Sequence, residues 1–127
     1  MSVVGIGIDA VEIERVGRMF ADKGERMLHR LFTGDELSYI KEKPLPAQHL
    51  AVRLAAKEAA YKALSGNELA RGIGWRDVEV VSRPDGAPVL RLHGRAAERF
   101  RELSGAAIHV SLTHSLTTAV AVVIVER

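Results

Sequence analysis

Gly5-Ile6-Gly7-Ile8-Asp9-Ala10 is the stretch on which the fold class turns, because it admits two incompatible readings. Two glycines and a small residue at this spacing match the loose dinucleotide-binding fingerprint, which would make the chain a doubly wound α/β protein. That fingerprint needs its glycines in the turn after a strand, opening a helix inside a βαβ unit. Here Ile6 and Ile8 put the glycines inside a strand over 1–9, with Val4, Ile6 and Ile8 alternating against Val3, Gly5 and Gly7. No second parallel strand follows at the required distance. Glycine within a strand instead lets another backbone or a ligand approach closely.

Outward from this strand, Asp9 is positioned to end it and cap a helix, and Val11, Val16, Met19 and Phe20 follow at roughly helical spacing. Thr33-Gly34-Asp35-Glu36 is a capping-box signal for a second short helix. Lys43-Pro44-Leu45-Pro46 breaks that helix, since proline has no amide proton to donate. The alanine- and leucine-rich run 50–64 predicts the strongest helix, stopped near Gly66. The period then changes. Alternation over 77–83, the turn Pro84-Asp85-Gly86 and the return over 89–93 predict a β-hairpin. A short amphipathic helix over 95–103 ends at Gly105, and 108–113 alternates again, with Ile108, Val110 and Leu112 opposite His109, Ser111 and Thr113. The apolar run 119–125 reads as a strand covered on both faces. Helices precede most of the strands, so the expected class is α+β: a single domain, 1–127, with a largely antiparallel sheet packed against helices.

The chain's 127 residues, 47% hydrophobic and 27% charged, suit one globular domain and exclude a disordered or fibrous protein. Absence of cysteine excludes zinc-thiolate sites, a cysteine nucleophile and a disulfide scaffold. A net charge of only +2 and six aromatic residues argue against a nucleic-acid-binding domain with a stacking surface. Arg15, Arg18, Lys23, Arg26 and Arg30 nevertheless crowd one stretch, opposed by Asp22 and Glu25. That stretch is either a solvated helix face or a dock for an acidic partner. Charges soon after the start argue against a signal peptide, and 118–125 is too short to span a bilayer, so a cytoplasmic protein without membrane contact is expected.

Three places can carry chemistry. Asp9 is either an N-cap, with Glu12 completing a capping box, or a carboxylate held by a rigid strand where a hard cation binds. In Arg53-Leu54-Ala55-Ala56-Lys57-Glu58-Ala59-Ala60-Tyr61-Lys62, Glu58 and Lys62 are spaced to pair along the helix. Arg53 and Lys57 repel at the same spacing, which makes sense either on a solvated face or with an anion such as phosphate between them. His109-Val110-Ser111-Leu112-Thr113-His114-Ser115 lacks the glycine pattern of a serine-hydrolase elbow, and its histidines face different ways for a metal site.

Together these segments resemble the holo-acyl-carrier-protein synthase family of 4′-phosphopantetheinyl transferases. The resemblance rests on Gly5-Ile6-Gly7-Ile8-Asp9 with Arg15, on 53–63, on His109 to Ser115, and on the intermediate motif Phe32-Thr33-Gly34-Asp35-Glu36, in order along nearly the whole chain. It implies the 4′-phosphopantetheinyl transferase fold. It also implies a reaction in which a serine of apo acyl carrier protein attacks the β-phosphate of coenzyme A and 3′,5′-ADP leaves, a step of fatty acid biosynthesis. Residue by residue, Asp9 and Glu58 match magnesium ligands. Lys62 matches a lysine at the transferring phosphate, and Arg53 and Lys57 match holders of coenzyme A phosphates. His114 matches a general base or coenzyme-positioning histidine, an alternative base being metal-bound water. Ser111, Gly86 and Pro88 fit the coenzyme side, Arg15 and Arg18 the helix that docks the acidic carrier. The segment 41–46 departs from the family by being short and proline-bearing. The family further implies a homotrimer with sites shared between subunits. The competing reading is a non-catalytic module of the same fold that binds coenzyme A or an acidic protein.

Overall fold

The computed structural model describes residues 1–65 and 72–127. In chain order these form β1 (Val3–Glu12), α1 (Ile13–Leu31), α2 (Gly34–Lys41), α3 (Pro46–Ser65), a 3-10 turn (Trp75–Asp77), β2 (Val78–Ser82), β3 (Pro88–Leu92), α4 (Gly94–Glu102), β4 (Ala107–His114) and β5 (Thr118–Glu126). The stop expected near Gly66 lies outside the described residues. The class is α+β, as expected, and among the described residues every strand pairing is antiparallel. The strands divide, however, into a three-stranded sheet, order β1-β5-β4, and a separate β2-β3 hairpin.

The central element is α3, a helix buried nearly all round. Ala51, Ala55, Ala56, Ala59, Ala60 and Ala63 are all buried, because their small side chains let the sheet and the hairpin approach its axis. It starts at Pro46, four residues before the expected 50, since proline's fixed φ suits the first helical position, where an amide proton would go unused. Its closest neighbour is β1. A Cβ on Gly5 would stand 2.0 Å from the Ala63 carbonyl oxygen, and one on Gly7 1.9 Å from that of Ala59. The glycines are the inward-facing residues of β1, and they exist to let a helix backbone rest on a strand backbone.

That contact inverts part of the expected burial. Ile6 and Ile8 point away from α3 and are 64% and 62% exposed. In the same register β5 is buried on one face only, through Ala119, Ala121, Val123 and Val125. Val120, Val122 and Ile124 continue the outer face, and His109, Ser111 and Thr113 of β4 flank them there. Among the described residues no element covers this outer face. The two-sided burial expected for 119–125 is therefore corrected.

Two further expectations change. Asp9 is not a helix cap: β1 runs on to Glu12, which occupies the N-cap position of α1 without a side-chain cap bond. The basic stretch is not one straight helix, because Gly24 adopts φ 68° and breaks α1, separating Arg15 and Arg18 from Arg26 and Arg30. The capping box of α2 forms as expected, Thr33 Oγ1 accepting from the Glu36 amide and Glu36 Oε1 from the Thr33 amide at 2.9 Å. None of the described helices is long and apolar enough to cross a membrane.

Candidate functional site

Where α3 rests on β1, the next inward residue after Gly5 and Gly7 is Asp9. Its carboxylate meets Glu58 of α3, the two acids interacting directly. Burial first, and then the adjacent Asp9, push the Glu58 carboxyl up to about 7, while Lys62 and Arg15 pull it down. Lys62 Nζ donates to Asp9 Oδ1 at 3.0 Å and to the Ile8 carbonyl at 2.9 Å. The Glu58–Lys62 pair expected along the helix is thus replaced by a bridge from helix to strand, because the lysine reaches the sheet that α3 lies on. Asp9 Oδ2 is buried without a hydrogen-bond partner.

An orphaned carboxylate oxygen beside a second carboxyl whose ionisation is suppressed is a poor arrangement for a protein alone. It fits a hard divalent cation, which takes oxygen donors from one or two carboxylates and leaves the rest of its shell to phosphate and water. Next to the pair opens a cleft of about 380 Å³, lined by Glu58, Tyr61, Lys62, Ile73, Trp75 and Val78 among others. The wall made by Ile73, Trp75 and Val78 is apolar and aromatic; the other, from α3, carries Glu58 and Lys62.

Sequence reasoning placed Arg53 and Lys57 on an anion, and the structure separates them. The Lys57 side chain is 1% exposed, and its ammonium donates to Glu36 Oε1 at 2.8 Å, to the Trp75 carbonyl at 3.0 Å and to the Val78 carbonyl. All three protons are used inside the fold, so Lys57 borders the cleft with its ammonium turned to internal acceptors and not to the anion expected between it and Arg53. Glu36, expected as a capping residue and as part of the intermediate motif, is also the countercharge. Nothing in a single sequence pairs positions 21 apart on different helices. Arg53, also buried, stacks its guanidinium 4.6 Å above the Tyr39 ring, and Lys43 lies 4.3 Å over the same ring. Tyr39 and His49 were not expected at the site, yet with Arg53, Lys43 and Ser82 they form a second, cationic cluster at the α2–α3 junction. Burial, then Arg53, Lys43 and His114, hold the His49 imidazole below its ordinary range.

His114 belongs to that second cluster. It is the last residue of β4, paired with Ala119, and so lies on the α3 side of the sheet. Its Nδ1 donates to the Ser115 carbonyl at 3.1 Å, which leaves Nε2 as the acceptor of the neutral ring. Asp9 and His114 therefore occupy the two outer strands, with β5 between them. Their backbones are roughly 12 Å apart, two strand spacings across the sheet and two residues along it. Ser111 faces the opposite, uncovered side. Gly86 sits in the hairpin turn at φ 88° and Pro88 opens β3; neither lines the cleft. Arg15 stands close enough to Glu58 to influence it, whereas Arg18 is exposed and paired with Glu14 at 2.9 Å.

Residues 5–121 match the model of the 4′-phosphopantetheinyl transferase superfamily. The chain is 42% identical over 125 residues to a holo-[acyl-carrier-protein] synthase of Geobacter sp., covering 98% of this chain and 99% of the relative. Among solved structures it resembles the holo-[acyl-carrier-protein] synthase of Neisseria meningitidis with a TM-score of 0.89 at 27% identity, over 99% of this chain and 100% of that one. It also resembles that of Helicobacter pylori, solved in complex with coenzyme A, with a TM-score of 0.80 at 28% identity, over 95% and 99% of the two chains.

Proposed function

The chain belongs to the 4′-phosphopantetheinyl transferase superfamily, and from that premise we propose that it transfers 4′-phosphopantetheine from coenzyme A to a serine of apo acyl carrier protein in a magnesium-dependent reaction. The serine oxygen forms a bond to the β-phosphorus, the pyrophosphate linkage breaks, and 3′,5′-ADP leaves with the bridging oxygen. The observation that carries this reading is the Asp9–Glu58 pair, one oxygen of it orphaned, beside Lys62 at the mouth of the cleft.

Asp9 and Glu58 would hold magnesium, which when bound supplies neutralising charge to the phosphate oxygens. Lys62, positioned by Ile8 and Asp9, offers a movable ammonium to the charge that grows on the leaving oxygen. Arg53, with Lys43 over the same Tyr39 ring, supplies cations for the coenzyme's other phosphates, and His49 beside them stays neutral. His114, with Nδ1 held by Ser115, presents Nε2 to take the serine proton. Arg15 and Arg18 on α1 are the cations for the acidic carrier, Arg15 lying at the border between dock and carboxylate pair.

One chain holds Asp9 and His114 on opposite edges of its sheet, which supports a homo-oligomer whose sites combine the Asp9 edge of one subunit with the His114 edge of the next. The uncovered face bearing Ile6, Ile8, Val122 and Ile124 is the surface for that association, and a homotrimer arranges three such faces about one axis. Ser111 lies on this face, where it serves a neighbour's coenzyme. The activity belongs to cytoplasmic fatty acid biosynthesis. The test is the intact mass of an apo carrier after incubation with coenzyme A and magnesium. A gain of one phosphopantetheine is expected; an unchanged mass with several carriers and a folded protein would sink the proposal.

A further inference from the structure

We infer that Lys57 is a positioning residue for the cleft: through Glu36 it ties the cleft's aromatic wall to the helix that carries Glu58, without touching substrate. The inference rests on the transferase reading of the site.

The connections run through three elements. Lys57 precedes Glu58 on α3, and its ammonium bonds the carbonyls of Trp75 and Val78, the two ends of the segment that forms the opposite wall of the cleft. Glu36 of α2 accepts the third proton through Oε1 and fixes the same segment again, its Oε2 accepting from the Val80 amide at 2.9 Å. Oε1 also accepts from the Thr33 amide, and Thr33 Oγ1 donates to Glu79 Oε2 at 2.8 Å. The hairpin is therefore held to α2 and α3 by side-chain bonds on three successive residues, Val78, Glu79 and Val80. Val78 and Val80 also share an apolar cluster with Ala56, Ala59 and Ala60 of α3, with Ile73 packed against it, so the polar bonds add direction to a contact that packing alone leaves free to slide.

A buried ion pair is an expensive means of stability, because apolar side chains of similar volume do as well. Its use here is geometric. Two carbonyls aimed at one ammonium hold the Trp75–Val78 segment to the residue next to Glu58, and both sides border the same cleft. Such a contact acts on how coenzyme A is held rather than on which atoms react.

Trp75 is the only tryptophan of the chain, so its emission reports the wall directly. The experiment compares wild type, Lys57→Met and Glu36→Gln by far-ultraviolet circular dichroism, acrylamide quenching of Trp75, and steady-state transfer. A folded Lys57→Met variant should show quenching at least twofold stronger. Its KM for coenzyme A should rise at least fivefold, with KM for the carrier within twofold. Glu36→Gln should move both in the same direction. Either variant, folded and with quenching and coenzyme KM as in wild type, overturns the inference. Should both unfold, the nitrogen-15 signal of the Lys57 ammonium in the unaltered protein decides: saturating coenzyme A should shift it, and an unmoved signal overturns the inference. If wild type transfers nothing, the transferase reading fails, while Trp75 quenching still judges the tie between wall and helix.

Discussion

Glu58 meets Asp9 because Gly7 has no side chain. The helix carrying the glutamate lies on the strand carrying the aspartate, and a single methyl at position 7 would overlap the Ala59 carbonyl oxygen at 1.9 Å. The acid pair is thus a product of backbone packing two residues away from it.

Substituting Gly7→Ala should destabilise the fold by about 1–3 kcal/mol, the usual range for overpacking, since the clash is with helix backbone that cannot rotate away. Urea unfolding measures it. The variant should also lose magnesium stabilisation even where it remains folded. A midpoint equal to wild type would contradict the close contact.

The acid pair predicts how stability depends on pH. Glu58 is raised from 4.5 to about 7 in the fold, so without metal the native state holds a proton that the unfolded chain releases. Its contribution is complete below about 4.5 and is lost as pH rises through about 7. Urea midpoints in chelator should therefore carry a falling component over that window, removed in Glu58→Gln. Magnesium must displace the proton, so its stabilising effect should grow as pH rises through the same range. A magnesium effect flat with pH would refute the pairing.

Asp9→Asn and Glu58→Gln should each reduce transfer by on the order of a hundredfold or more, while keeping the fold. Without metal, Asp9→Asn removes a repulsive charge from Glu58 and should be at least as stable as wild type at pH 8. Transfer assays and thermal melts in chelator check both halves. A strongly destabilised Asp9→Asn would mean that its bond from Lys62 outweighs the repulsion.

Carrier docking is best tested at Arg18. It is exposed and paired only with Glu14 among the contacts described, so Arg18→Glu should raise KM for the carrier and weaken its salt dependence, leaving coenzyme KM unchanged. Arg15→Glu should affect both substrates, because Arg15 also acts on Glu58. Equal effects of the two variants on coenzyme KM would remove this distinction.

A shared site predicts complementation. Asp9→Ala and His114→Ala variants, each inactive, should regain activity when assembled together, up to about one site in four under random mixing. Activity would come from an intact Asp9 of one chain meeting an intact His114 of the next. No recovery, with mixed oligomers demonstrated by mass, would place both residues of a working site in one chain.

Much of this protein was legible in its sequence because local rules govern those parts. The α2 capping box, the hairpin turn at Pro84-Asp85-Gly86 and the polar–apolar alternation of β4 follow from neighbours a few residues apart. The ordered motifs around Asp9, Glu58 and His114 were enough to suggest the family. Arg53 and Lys57 were misread as a pair because spacing on a helix shows which charges are near, and not which partners arrive from other elements.

The sequence by itself determined the α+β class, the central helix and the residue types of the site, since propensity, periodicity and capping are properties of short stretches. Only the tertiary structure decided which way β1 faces. Either alternating set of that strand could be buried, and the choice fell to Gly5 and Gly7 because only residues without a side chain let the α3 backbone rest directly on the strand. The same packing turned Asp9 from a cap into half of an acid pair. It also drew Lys57 into the interior against Glu36 and left His114 on the far edge of the sheet from Asp9. Those outcomes depend on elements that meet in space from distant parts of the chain, where no local pattern records the encounter.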